Sequence, residues 1–255
     1  MSHTNSNVTP LNTTDDWHLR VDLAAAFRLT AENDWHEAVA NHFSLAVSPD
    51  GKEFLMNPRN RHFSLVRASE LLLLNADDRS CMDTPNAPDA SAWSIHGAIH
   101  RLHPNARCVM HVHPPYATAL AGLKDPTIRP IDQVTARFYN NVAYDLEFGG
   151  IAEGEAEGER IAGALGNRRI MMMGNHGVTV VGDTVAQAFD DLYHLERACK
   201  TMVLAYSTGQ PLSEMSDELA EQVREEWVGF VAGSYQDHFD QAKELLDRTD
   251  PSYAS

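Results

Sequence analysis

The chain has 255 residues, 43% of them hydrophobic, and a formal net charge of −16 from 36 acidic and 20 basic side chains. That length and apolar content suffice for one larger α/β domain with a full core, and the acidic excess argues against nucleic acid or an anionic membrane as a partner. Three cysteines, Cys81, Cys108 and Cys199, without CxxC spacing exclude a disulfide framework and a thiolate zinc site, and fit a reducing, cytoplasmic setting.

Residues 1–14 are rich in Ser, Thr and Asn; lacking a basic start and an apolar segment, they read as a disordered tail and not a signal peptide. No run approaches the roughly 18 apolar residues of a membrane span. Residues 16–34 predict a helix, with Leu19, Leu23, Phe27 and Ala31 on one face. Strands over 43–47 and 53–56 flank Ser48-Pro49-Asp50-Gly51, a hairpin turn with Pro presetting φ and Gly supplying positive φ. A strand over 70–74, a Pro-rich loop over 82–89 and a short helix through Ile95, Ile99 and Leu102, stopping before Pro104, come next. Arg107 opens an apolar strand, followed by a helix over 115–121, a loop over 122–131, a strand over 141–146 and a helix over 155–165. Glu153, Glu155, Glu157 and Glu159 mark the start of that helix as solvated. Strands over 170–173 and 178–181 flank the corner Gly174-Asn175-His176-Gly177. Asp183 or Thr184 then caps a long helix with the stripe Val185, Phe189, Leu192, Cys199, Met202, Tyr206, ending near Gly209. Residues 15–210 read as one domain. The charged helical arm over 211–255 belongs to it, with Trp227, Phe230 and Tyr235 as anchors suited to packing on a neighbouring subunit.

The chemistry concentrates at His111-Val112-His113. Residues two apart in a strand share a face and lie about 6.5 Å apart, so both imidazoles can grip one ion with metal–nitrogen bonds of about 2.0–2.1 Å. Two hydrogen-bonded polar histidines in a sheet are the alternative. His176, between glycines at a tight corner, favours the metal reading, since glycine permits close backbone approach. Of the other histidines, His18, His36, His62, His194 and His238 read as exposed. His96, His100 and His103 lie on the helix before the strand, and His96 reads as a buried hydrogen-bonding residue.

Four segments together carry a family resemblance: Asn41-His42-Phe43-Ser44, the run from Ser91-Ala92-Trp93 through His96 to His100, His111-Val112-His113-Pro114-Pro115-Tyr116-Ala117, and Asn175-His176-Gly177 with the helix after it. In this order they resemble the class II aldolase/adducin family over residues 17–210. The resemblance implies a three-layer α/β/α sandwich with a mainly antiparallel central sheet. It implies a homotetramer with active sites at subunit interfaces, and one divalent metal ion per subunit held by His111, His113 and His176. Zinc is the expected ion, with manganese, cobalt and iron as alternatives. In the family the metal acts as a Lewis acid on a small-molecule substrate, stabilising an enolate or enediolate as a C–C bond breaks. Asn41 and Ser91, inside matching motifs, are substrate-binding candidates.

Two departures narrow the substrate. Sugar-phosphate aldolases carry Ser-Ser-Glu before the helix histidine, with the acid as proton shuttle; here those positions are Ala90, Ser91 and Ala92. The small Thr/Ser-Gly turn of phosphate-binding members is replaced by Asn57-Pro58-Arg59-Asn60. An unphosphorylated hydroxy or oxo acid fits better, with Arg59 pairing its carboxylate unless that arginine simply points to solvent. Decarboxylation also suits a missing base, since loss of CO₂ creates an enolate without prior proton abstraction. Residues 131–139 resemble the segment that reaches the active site in decarboxylase-like members, which makes Gln133 and Tyr139 catalytic candidates. The expectation is a metal-dependent C–C lyase, decarboxylase or retro-aldolase. Alternatives are an epimerase, a dehydratase or an iron-dependent oxygenase on the same scaffold, or a non-catalytic adducin-like module, against which the retained triad argues.

Overall fold

In a computed structural model of the chain, the structure describes residues 17–84, 87–147, 150 and 154–255; the expected N-terminal tail lies outside them. Short apolar runs form a seven-stranded sheet of β1 (His42–Ala46), β2 (Glu53–Met56), β3 (Leu72–Asn75), β4 (Cys108–Val112), β5 (Val142–Asp145), β6 (Ile170–Met173) and β7 (Val178–Gly182). The spatial order is β3-β2-β1-β4-β7-β6-β5. Every pairing is antiparallel except β5 with β6.

The central strands are buried throughout because both faces are covered. In β4, Cys108, Met110 and Val112 enter the core shared with α1 (Trp17–Glu32) and α6 (Val185–Ser207), while Val109 enters the one shared with α2 (Ala90–Leu102) and α5 (Glu155–Leu165). This period of two, with helices on both sides, makes the three layers the resemblance implied. Helix α5 lies close on α2 because residue 158 is glycine: a Cβ there would stand 2.1 Å from the Ser94 carbonyl oxygen. Helix α7 (Asp217–Thr249) returns Phe239 and Leu246 to the α1/α6 core, and Tyr253 follows them.

Local chemistry shifts several predicted boundaries. The strand expected from residue 70 starts at Leu72, because Ala68–Glu70 forms a 3₁₀ turn in which the Glu70 carboxylate accepts from the Arg67 backbone N–H. Met82 and Asp83 belong to a second such turn, capped by Asp78, and not to a loop. Of the two candidate caps for α6, Thr184 serves, its hydroxyl accepting from Gln187 N–H at 3.1 Å. The helical arm starts at Asp217, capped by Ser216. Among the described residues no helix is long and apolar enough to cross a membrane.

Candidate metal centre

The antiparallel register opposes His111 of β4 to His42 of β1 on one side and Thr179 of β7 on the other. Directly opposed residues share a face, so the three make a polar row on the side of the sheet that α2 and α5 cover. His113 lies two residues beyond His111, just past the strand end. His176 reaches the same place from the β6–β7 corner, where Asn175 adopts φ 54°. Gly177 completes the corner: a Cβ there would meet His113 Cδ2 at 2.3 Å and the Val112 carbonyl at 2.6 Å. Ring centroids are 5.0 Å apart for His111 and His113, 4.8 Å for His111 and His176, and 4.6 Å for His113 and His176. One nitrogen from each ring lies within 4.8 Å of the others. All three predicted ligands are thus brought together.

What stands behind the rings decides whether they suit an ion. Thr179 directs its hydroxyl proton to Met173 Sδ at 3.4 Å, so its oxygen accepts from His111 Nδ1–H at 3.3 Å. The Glu37 carboxylate accepts from His113 Nδ1–H at 2.6 Å. These partners leave both Nε2 atoms as lone-pair donors, and those atoms face each other at 3.1 Å. A proton shared between the two nitrogens, or a metal ion held by both, satisfies that contact. Burial, with His42 and the other two triad rings adding to it, pushes the His111 pKa well below the ordinary imidazole value. Burial, followed by His113, pushes His176 down to about 4. Neutral imidazoles with a carboxylate or hydroxyl behind them are what a divalent ion of the zinc, manganese, cobalt or iron kind requires, so the donor set fits one.

Of the predicted substrate residues, Asn41 connects to this centre through Glu37. Asn41 is buried; its Oδ1 accepts from Glu37 N–H at 2.6 Å, and its Nδ2 has no hydrogen-bond partner among the described residues. Ser91 and Arg59 meet at Asp89, the cap of α2. Asp89 accepts from Ser91 N–H at 2.9 Å and from its hydroxyl at 2.6 Å, and Arg59 Nε approaches to 3.8 Å. Burial favours the protonated form of Asp89, but the Ser91 bonds outweigh it and hold the pKa below the usual carboxylate value. Arg59 is 61% exposed. Gln133 and Tyr139 sit elsewhere. The Gln133 carbonyl accepts from Trp227 Nε1 at 2.6 Å, and Tyr139 donates to Asp217 at 2.8 Å, so both contact α7.

Sequence reasoning missed four supporting residues. Glu37, in a polar loop, carried no signal, and Thr179 is identified only by register. Asp89 was read as loop. Glu196 was legible: it stands between Leu192 and Cys199 in the α6 stripe, where helical spacing calls for an apolar side chain. Its carboxylate accepts from Tyr116 and Ala117 N–H, each at 2.8 Å, and so fixes α3 (Pro115–Ala121) just after His113. The expectation that His36, His62, His194 and His238 are exposed is corrected, since all four are half-buried. His36 and His62 join Nε2 to Nε2 at 3.1 Å, and His194 and His238 both engage Asp190; pairing offsets the cost of burying polar rings.

Comparison with known proteins gives the family. The family described as class II aldolase and adducin N-terminal domain matches residues 21–203. A Caulobacter vibrioides protein whose name assigns it provisionally to the class 2 aldolases is 31% identical over 94% of this chain and 93% of its own length. Human beta-adducin is 30% identical over 90% of this chain, a region amounting to 33% of the adducin. The crystal structure of an aldolase II superfamily protein from Pseudomonas syringae superposes with a TM-score of 0.85 at 30% identity, covering 95% of this chain and 97% of that one. The chain belongs to the class II aldolase and adducin family.

Proposed function

We propose that the chain is a metal-dependent C–C lyase, of decarboxylase or retro-aldolase type, acting on a small unphosphorylated hydroxy or oxo acid. We further propose that it works in the cytoplasm as a homotetramer with zinc as its ion. The observation that carries this reading is the convergence of His111, His113 and His176, with Thr179 and Glu37 orienting two of the rings. A divalent ion held there would act as a Lewis acid, lowering the energy of an oxyanion developing on the substrate.

The chain's own residues would supply the rest. Asn41 Nδ2, buried and without a partner, offers a donor to a substrate oxygen. Arg59 can form a paired interaction with a carboxylate, while the Asp89 carboxylate 3.8 Å from it repels a dianionic phosphate. Ser91 stays bound to Asp89 and keeps the carboxylate turned toward Arg59. Ala92 supplies no base, which favours a reaction that begins with CO₂ loss. Gln133 and Tyr139, on the side of the molecule covered by α7, would serve the site of a neighbouring subunit, Gln133 by hydrogen-bonding substrate and Tyr139 by returning a proton there.

The similarity to beta-adducin supports a second reading, a non-catalytic module. Elemental analysis of the purified protein, with a screen of hydroxy and oxo acids for CO₂, aldehyde or ketone, separates the two. The lyase reading predicts a stoichiometric divalent ion and turnover of at least one acid. Protein without an ion, no more or less stable after His111→Ala, would sink it, and iron with oxygen-dependent turnover would transfer the assignment to an oxygenase.

A further inference from the structure

His176 sits on a corner whose position depends on the strand behind it. That strand, β5, lies at the sheet edge and pairs, among the described strands, with β6 alone and in parallel. Its last residue, Asp145, stands opposite Met173 and carries the corner from there: the Asp145 carbonyl accepts from Gly174 N–H at 2.7 Å. On the other flank Asn175 N–H donates to the Ala121 carbonyl at 3.1 Å. The packing is close, since a Cβ on Gly174 would stand 3.1 Å from Leu146 Cα and 3.5 Å from the Asp145 carbonyl oxygen. A shift of the β5 end therefore moves the corner, and His176 with it.

The β5 end is fixed from α5. Asp145 is 8% exposed, and a carboxylate so buried needs a partner. Arg160 meets it as a fork, donating from Nη1 to Oδ1 at 2.8 Å and from Nη2 to Oδ2 at 2.9 Å. Glu157, one turn earlier, accepts from Arg160 Nε at 3.0 Å and from Nη2 at 2.8 Å, and so sets the plane of the guanidinium. Two parallel bonds to a planar carboxylate fix direction as well as distance. The other ion pair of this helix, Arg79 with Glu155, is a single contact of 3.6 Å between exposed side chains and holds nothing comparable.

We propose that Arg160 is a positioning residue for the metal centre: through Asp145 and the Gly174 amide it holds His176 where one ion can be shared with His111 and His113. This role presupposes the triad as a metal site.

Cobalt(II) is the probe, titrated into the metal-free full chain against a competing chelator while its visible bands report coordination geometry. Arg160→Met should weaken binding about tenfold, as loss of an outer partner does, and alter the band intensities. Arg160→Lys, which keeps the charge without the fork, should recover only part of the affinity. Because Arg160→Met also strands a buried carboxylate, Gly174→Ala, which leaves the ion pair whole and pushes the corner off Leu146, should weaken binding to a similar extent. Arg79→Gln should change nothing. In the metal-free chain, amide exchange at Gly174 and His176 should be about tenfold faster in Arg160→Met. Unchanged affinity in Arg160→Met, undiminished binding in Gly174→Ala, or an equal loss in Arg79→Gln would each overturn the proposal. If the unaltered chain binds no cobalt, the metal reading itself fails, and unchanged exchange in Arg160→Met would then also show that Arg160 does not hold the corner.

Discussion

Two histidine clusters lie on the same side of the sheet, and they are built differently. In the triad, His111 and His113 each have an acceptor behind the ring, Thr179 and Glu37, and turn a free Nε2 toward a common point. In the second cluster the rings spend most of their capacity on one another, with His100 Nδ1 left without a hydrogen-bond partner among the described residues. His42 Nδ1 meets His96 Nε2 at 2.8 Å, and the Ser44 hydroxyl meets His96 Nδ1 at 2.6 Å and His100 Nε2 at 2.7 Å. The clusters touch where His42 stacks on His111, with centroids 4.9 Å apart and planes 25° apart. A high density of imidazoles therefore says little by itself. A site that can hold a ligand is distinguished by nitrogens that converge on one point with support from behind, and a structural cluster by bonds spent within it.

Substitutions can break this contrast. The largest effect is expected from His111→Ala, which should abolish stoichiometric metal in elemental analysis and reduce any turnover by more than about a hundredfold, beyond the usual cost of disturbing a supporting residue. His96→Ala should do the reverse, leaving metal content intact while lowering unfolding free energy by about 2–5 kcal/mol in urea, since it opens a cavity and orphans buried groups on His42 and Ser44. Metal loss in His96→Ala with unchanged stability would erase the distinction. Glu37→Gln should weaken metal affinity by about tenfold in a chelator competition without changing the urea midpoint of the metal-free protein.

The closed cluster also carries a pH dependence. Burial pushes His42 down to about 4, and burial with Arg107 pushes His100 down to about 3. Both stay neutral when folded and take up protons near the ordinary value of 6.5 when unfolded, so the unfolded chain binds more protons below that pH. Stability should be level above pH 6.5 and fall as pH drops toward 4, by at most about 1.4 kcal/mol per pH unit for each histidine. Urea titrations at pH 7 and pH 5 measure it; a flat profile would mean that the closed cluster opens easily to water.

Much of this was legible in the chain. Apolar runs located β4, β6 and β7, the spacing of His111 and His113 put both on one face, and the Gly-Asn-His-Gly corner marked His176. The residues that make those rings usable were not legible. Thr179 supports His111 only through a strand register that local sequence does not specify, and Glu37 arrives from a loop with no periodicity. Arg137 carried no signal of its own in the sequence; the fold sets it between Asp190 and Asp191. Local pattern reports which side chains share a face; it does not report which remote element closes over them.

The row of His42, His111 and Thr179 has a consequence for how the molecule assembles. Its members come from three strands far apart in the chain, and such distant pairings form late because loop closure must precede them. Slipping β4 by one residue would turn His111 into the apolar layer beneath α1 and α6. An ion that binds only the correct alignment would add its binding free energy to that alignment alone. The metal would then act as a proofreader of strand pairing, selecting the registered sheet over its slipped competitors before any substrate arrives.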